Sequence, residues 1–329
     1  MFEVYKPSGG VGFMTWPLMI AGLVVMVVLG GIYALLLNVI PFIYVNALLA
    51  LGMGVAVGTV AAFIVNVGHC RNVMLATLIG LLLAVTGLGG KFVSQYYLAR
   101  ANGIEFLETM DVGTMEGITE ETRPLVIESF KQEYSFVEHL KERIDAGWNI
   151  GRRGNGAPIG GWLVYLVWAI EAGILFYFGW TMSRAAAKAP YSEKMNMWAD
   201  ESEGVMLLPI TSDEMVTKIQ SATSVDELLE IPIPKTDQSA KLAQYVVNSI
   251  PGQEMEDAYL TVQTIEYSIN KKGEQETKET MLVENAILSS EQRAQLVENA
   301  ELLNEAMDDF RASQEEERLA EQNEAAVED

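Results

Sequence analysis

The chain has little of the residue types that carry most protein chemistry. Its 329 residues include one cysteine and two histidines. One cysteine excludes an internal disulfide framework, and so few sulfur and imidazole ligands exclude a conventional zinc site. Basic residues number 22 against 44 acidic ones, giving a net charge of -22. Because nucleic acid is strongly negative, this balance argues against it as a partner, and we expect neither nucleic acid nor a cofactor.

Charge is also scarce in the first 200 residues, which hold the long apolar runs, while most of the acidic residues come later. Four of the runs are long enough to cross a bilayer, which takes about 20 apolar residues. These runs are residues 17–37, 42–67, 73–98 and 162–182. The pattern predicts an α-helical multi-pass membrane protein with four transmembrane helices and a C-terminal soluble α+β domain.

The segments around the spans have distinct compositions. Residues 1–16 lack the basic head of a signal peptide and are predicted to lie at the membrane interface. In the loop 99–158, apolar residues recur every three or four positions between Val126 and Ile144, which predicts one amphipathic helix. Its apolar face is expected to cover the span ends or the lipid surface, with partner binding as the alternative, and His139 is expected to face water. Residues 183–200 are interpreted as a linker.

Residues 201–313 are predicted to form the acidic soluble domain, followed by a solvated acidic tail over residues 314–329. The expected elements are a strand over residues 204–210, short helices capped by Ser212 and Ser224, a helix over residues 239–249, a hairpin of residues 258–269 and 279–287, and a long helix after Ser289.

Basic residues near the spans indicate an orientation. Four crossings place both ends on one side, here called the near side, and the loop 99–158 on the far side. Lys6, Arg71, Arg184, Lys188 and Lys194 lie on the near side, and Arg100, Arg152 and Arg153 on the far side. Since basic residues favour the cytoplasmic face, we predict a cell (inner or plasma) membrane protein with cytoplasmic termini. Arg71, Arg152 and Arg153 are expected to contact lipid headgroups.

Two charged residues interrupt the apolar spans, Lys91 in the third and Glu171 in the fourth. A charge near the bilayer centre costs about 2.5–3.5 kcal/mol, so each needs a partner. The two spans are antiparallel, and the residues lie at similar depths. We therefore predict an intramembrane ion pair. It either locks the packing of the spans, with a protonated Glu171 as a variant of that structural role, or serves as a proton or ion site.

Small residues recur at helical spacing in two spans, which permits close contact between helix backbones. The predicted helix-packing positions are Ala50, Gly54, Gly58 and Ala62 in the second span, and Ala76, Gly80, Ala84 and Gly87 in the third. Packing within one subunit is the preferred interpretation, and contact between copies of the chain is the alternative.

No catalytic motif is apparent in the sequence, so the function predicted is not enzymatic. The preferred hypothesis is an integral membrane anchor or assembly protein. It would pack into a membrane complex or homo-oligomer and present its acidic domain to other proteins. Membrane lipids, other protein subunits and further copies of the chain are the expected partners. The alternative is a small ion or proton transporter, or a channel subunit, that uses Lys91 and Glu171.

Overall fold

The computed structural model describes residues 2–40, 43–111, 119–149, 158–159, 161–234, 239, 241–250, 258–269 and 274–328. The chain divides into two compact units. The membrane unit is Ser8–Lys188, and the C-terminal unit combines Met1–Pro7 with Ala189–Asp329.

The membrane unit consists mainly of helices. Its elements are α1 (Thr15–Val39), α2 (Ile43–Val67), α3 (Val73–Thr109), α4 (Arg123–Glu133), α5 (Phe136–Ala146), the short paired strands β1 (Trp148–Asn149) and β2 (Pro158–Ile159), and α6 (Trp162–Lys188). Helices α1, α2, α3 and α6 are long and apolar enough to cross a membrane, which confirms the four predicted spans. Both α3 and α6 continue past the predicted span ends into more polar sequence.

Helix α3 contacts the other three spanning helices, and α2 also packs along α6. Their interface is filled by fully buried apolar side chains, among them Met26, Val57, Leu83 and Leu175. Large apolar side chains such as those of Ile20 and Val24 remain exposed on the outer surface. An apolar exterior around an apolar interior is what a lipid environment requires.

The far-side segment differs from the single amphipathic helix predicted. The chain breaks at Tyr134, where α4 ends, and α5 begins after Ser135. The Ser135 hydroxyl accepts a hydrogen bond from the backbone N–H of Glu138 at 3.2 Å, so it caps the second helix. Gly147, with φ of 58°, ends α5. Reorientation at Tyr134 also buries His139, which was wrongly expected to face water.

The C-terminal unit is an α+β domain, as predicted. It contains the hairpin β3 (Tyr191–Ser192) and β4 (Met197–Trp198), the strand β5 (Asp200–Pro209), α7 (Asp213–Ser221), α8 (Val225–Leu229), the strands β6 (Lys241–Ser249), β7 (Ala258–Ile269) and β8 (Gln275–Leu288), and α9 (Ser290–Glu328). The four longer strands form an antiparallel sheet in the order β5-β6-β7-β8. One sheet face and the helices α7, α8 and α9 share a single apolar core.

One prediction for this unit differs from the structure. Residues 239–249 were predicted to be helical, but Lys241–Ser249 is the strand β6. Ala243, Tyr245 and Val247 alternate with less buried residues, and they face the core at the period-two spacing of a strand. The helix α9 continues through residues 314–328, within the segment predicted to be a solvated acidic tail.

Within the segment 1–16, residues 3–5 extend the sheet along β8, whereas the residues from Ser8 onward belong to the membrane unit. The backbone N–H of Tyr5 donates to the carbonyl of Asn285 at 2.9 Å, and that of Ile287 donates to the carbonyl of Glu3 at 2.7 Å. Asn285 has a positive φ of 55° at an irregularity of β8, and the Tyr5 ring packs edge-on against Tyr259. The N-terminal residues and the C-terminal domain therefore share one side of the membrane, as four crossings require.

Candidate functional site

The site is built around the two charged residues of the spans. The Nζ atom of Lys91 on α3 lies 2.5 Å from Oε2 of Glu171 on α6. Only 3% of Lys91 and 6% of Glu171 is exposed. The structure thus brings together the two residues for which an ion pair was predicted, inside the helix bundle.

A close contact between helix backbones places α3 beside α6. A methyl group added to Gly80 would overlap the carbonyl oxygen of Gly179, and one added to Gly179 would lie 2.6 Å from the carbonyl oxygen of Gly80. Ser183, next to this contact, donates its hydroxyl to the Gly179 carbonyl at 2.6 Å. Because no side chain separates the helices here, Lys91 can reach across to Glu171 farther along α3.

The other small residues predicted to mediate packing also lie at contacts within the chain. Gly54 contacts Ile174 and Phe178 of α6, Gly58 contacts Met182, and Gly87 contacts Met53 of α2. Ala50, Ala76 and Ala84 are buried, and Ala62 is half-buried.

Aromatic rings enclose the ammonium group of Lys91. Its Nζ lies 4.4 Å from the ring centre of Phe92 and 5.7 Å from that of Tyr33. Phe92 in turn packs edge-on against Trp168 of α6. The faces of aromatic rings attract cations, so these rings replace part of the hydration that the ammonium loses.

The Glu171 carboxylate is only partly satisfied. Its Oε2 atom accepts from Lys91, but Oε1 is buried and has no hydrogen-bond partner among the residues that the structure describes. Leaving a buried carboxylate oxygen unpaired is costly. A proton or a water molecule bound to this oxygen would satisfy it.

A second polar group lies on α5, on the face turned towards α3 and α6. His139 is 4% exposed, and its Nδ1 is 3.0 Å from the hydroxyl of Tyr134. The Tyr134 ring stacks on Tyr96 of α3 at an interplanar angle of 11° and on Phe130. The Tyr96 hydroxyl donates to the Tyr134 carbonyl at 3.1 Å. These contacts attach the α4–α5 segment to α3, and we call Tyr96, Tyr134, His139 and Arg143 the far-side cluster.

Burial and neighbouring charges alter the acidity of this cluster. Burial lowers the pKa of His139, and the positive charge of Arg143 lowers it further, against the opposing effect of Glu142. Burial, reinforced by a hydrogen bond to Glu142, raises the pKa of Tyr134 to about 12. Burial also lowers the pKa of Arg143, while the negative charge of Glu171 acts in the opposite direction. The charge of Arg143 thus acts on His139, and the charge of Glu171 acts on Arg143. The cluster and the ion pair are therefore electrostatically linked.

The far-side cluster was not predicted from the sequence. The aromatic spacing of Phe130, Tyr134 and Phe136 was a usable signal, because aromatic rings concentrated at one turn favour a packed corner over a solvated helix. The Nε2 atom of His139 is buried without a hydrogen-bond partner in the described part of the chain.

Of the three arginines predicted to contact lipid headgroups, the structure describes Arg71. Arg71, in the turn between α2 and α3, is half-buried and packs its guanidinium against Gly10. Its backbone N–H donates to the Gly10 carbonyl at 2.8 Å, which fastens residues near the N-terminus of the membrane unit over this turn. Arg152 and Arg153 lie outside the described residues.

Chemically, the arrangement holds an ammonium and a carboxylate together within the spans, and Oε1 of the carboxylate has no hydrogen-bond partner in the described part of the chain. Among the described residues, no group of three or more histidine, cysteine, aspartate or glutamate side chains is placed to hold a metal ion. The chain matches no protein-family model, no curated protein and no solved structure.

Proposed function

We propose that this membrane protein is an anchor that holds its acidic C-terminal domain at the bilayer surface as part of a protein assembly. The observation that carries the proposal is the Lys91–Glu171 pair, in which the two charges of the spans satisfy each other inside the bundle. A pair of this kind fixes how α3 and α6 pack, because any sliding of the helices would separate two charges in hydrocarbon.

The contacts of the small residues support the same function. Gly54, Gly58 and Gly80 each face α6 of the same chain, so these positions contribute to a self-contained bundle. The C-terminal domain has its own core and an acidic helix α9 with Glu298, Glu301 and Glu305 exposed. A strongly negative surface attracts partners with basic surfaces.

The assembly role is tested by crosslinking in intact membranes with a carbodiimide, which joins carboxylates to amines. We expect the full-length protein to form discrete crosslinked species, and we expect their yield to fall when Glu298, Glu301 and Glu305 are replaced by Gln. Replacing Glu105, Glu128 and Glu133, exposed residues of the far-side segment, is the matched control and should leave the yield unchanged. A chain that stays monomeric under these conditions contradicts the proposal.

We also propose that the protein lies in the cell (inner or plasma) membrane with both termini in the cytoplasm. The excess of basic residues near the near-side span ends supports this orientation. In a Cys70→Ala background, an impermeant thiol reagent applied to intact cells should label Glu138→Cys on α5 but not Glu301→Cys on α9. The opposite labelling pattern would reverse the orientation.

A second candidate function is proton or ion transport, and it is favoured by Oε1 of Glu171, which is buried with no partner among the residues that the structure describes. Purified protein in vesicles would then conduct protons down a pH gradient. Glu171→Gln should abolish the flux, while Gly173→Ala, on the same helix in open space, should retain it. Absence of flux from the wild-type protein removes this candidate.

A further inference from the structure

We propose that the α4–α5 segment is a proton-operated cap, in which protonation of His139 releases α5 from α3 and α6 on the far side of the Lys91–Glu171 pair. This proposal goes beyond the anchor function and does not depend on it.

The closed cap has no place for a second proton on His139. One ring nitrogen, Nδ1, is shared with the Tyr134 hydroxyl, and the other, Nε2, is buried without a partner among the described residues. A neutral imidazole tolerates this arrangement, since one nitrogen carries a proton and the other does not. In the protonated ring both nitrogens are donors, and a positive N–H would be buried with no acceptor among the described residues.

The charges around His139 oppose its protonation overall. The titratable and charged groups that face it are Tyr96 of α3, Tyr134 at the end of α4, and Glu142 and Arg143 of α5. Glu142 favours the imidazolium, but it is exposed to solvent, which screens its charge. Arg143 lies one helical turn beyond His139, so a protonated ring would place two cations on the same face of α5.

Of the two charged residues in the spans, Glu171 acts on the cap through Arg143. The negative charge of Glu171 favours the charged Arg143 guanidinium and opposes the lowering of its pKa by burial. When α5 leaves, Glu171 loses one of the two cations near it, and water gains access to its Oε1, which has no hydrogen-bond partner among the described residues. Release of the cap therefore hydrates the ion pair from the far side.

The direction of the pH effect follows from the lowered pKa of His139 in the closed state. In an open, solvated cap the ring titrates near its ordinary value of about 6.5. The closed form is thus fully favoured above that value and loses stability as pH falls through it towards the lower pKa of the closed state. The open-to-closed ratio rises by up to about tenfold per pH unit across this window.

The test is hydrogen exchange measured by mass spectrometry on the full-length protein in lipid nanodiscs, at pH 7.5 and pH 5.5, with rates corrected for intrinsic chemistry. We expect α4 and α5 to exchange several-fold faster at the lower pH, while the buried part of α2 does not change. His139→Gln, which cannot titrate, should remove the difference. The matched control is His69→Asn, which alters the other histidine at a positive-φ position that asparagine tolerates and should keep the difference.

A second measurement keeps the test decisive if His139→Gln does not fold. The chain has two histidines, so nuclear magnetic resonance of labelled imidazoles, assigned with His69→Asn, follows His139 directly. We expect His139 to titrate below the ordinary histidine range. Arg143→Gln should raise the pKa of His139 and reduce the exchange difference between the two pH values. Arg143→Lys should preserve the pKa and the exchange difference. A wild-type protein with no change in α4–α5 exchange, or a change that persists in His139→Gln, overturns the proposal.

Discussion

The membrane unit and the C-terminal unit keep their elements together by different means. In the membrane unit, backbones touch at Gly80 and Gly179, and a buried ion pair crosses between the same two helices. In the C-terminal unit, one sheet face and three helices bury apolar side chains, with Leu260 near the centre. Between lipid-exposed helices the hydrophobic effect contributes little, so close fit and polar pairing decide the packing, whereas in water apolar burial dominates.

The largest expected effect comes from leaving one charge of the ion pair alone. Lys91→Met should destabilise the full-length protein by about 3–5 kcal/mol, because it leaves the Glu171 carboxylate buried without its partner. The double variant Lys91→Met with Glu171→Met removes both charges and should recover most of the loss. Thermal unfolding in detergent measures both, and equal losses in the single and double variants would show that the unpaired charge of Glu171 is not what destabilises Lys91→Met.

A smaller loss is expected from a cavity in the C-terminal unit. Leu260 is fully buried in β7, and Leu260→Ala should cost about 2–4 kcal/mol through lost burial and the cavity it leaves. Ile269→Ala, near the end of the same strand where the side chain is 78% exposed, should change stability little. Denaturant titration followed by circular dichroism compares them, and similar losses would mean that the core does not carry the stability of this domain.

An added methyl group tests the close contact in the membrane unit. Gly80→Ala should destabilise the bundle by about 1–3 kcal/mol, because its new Cβ meets the backbone of α6 and the helices must separate. Gly89→Ala, on the same helix but with open space around it, should be neutral or slightly stabilising. If both variants melt at the wild-type temperature in detergent, the two backbones do not touch.

The smallest effect is expected at a helix end of the C-terminal unit. The Ser224 hydroxyl accepts from the backbone N–H of Glu227 at 3.3 Å, so Ser224→Ala should remove a cap at α8 and cost about 1 kcal/mol. Ser268→Ala, at an exposed position of β7, is the control. A shift in the urea midpoint for Ser268→Ala but not for Ser224→Ala would rule out a stabilising role for the cap.

The sequence predicts the membrane unit better than the C-terminal unit, and the reason is physical. A span must satisfy its own backbone, so apolar length alone identified α1, α2, α3 and α6. The strand β6 was mistaken for a helix because its residues form no distinctive local pattern. Its conformation depends on pairing with β5 and β7, and these contacts lie far away in the sequence.

In the candidate site, too, the features that depend on contacts distant in the sequence were not predicted. The depths of Lys91 and Glu171 were readable from span lengths, because the bilayer fixes how far along each helix a residue lies. The burial of His139 could not be read from the sequence, since it depends on the break at Tyr134 and on a ring supplied by Tyr96 from another helix. Amphipathic spacing records which face of a helix is apolar, but it does not record where the chain bends.

The pairing of residues 3–5 with β8 has a consequence for how the protein is made. Glu3 and Tyr5 are synthesised before all four spans, whereas Asn285 and Ile287 follow them. The sheet edge therefore stays incomplete throughout translation and insertion, and the early segment must wait unpaired on the side where the late one emerges. A bulky fusion placed directly before Glu3 would crowd this final step, so a reporter is better attached elsewhere.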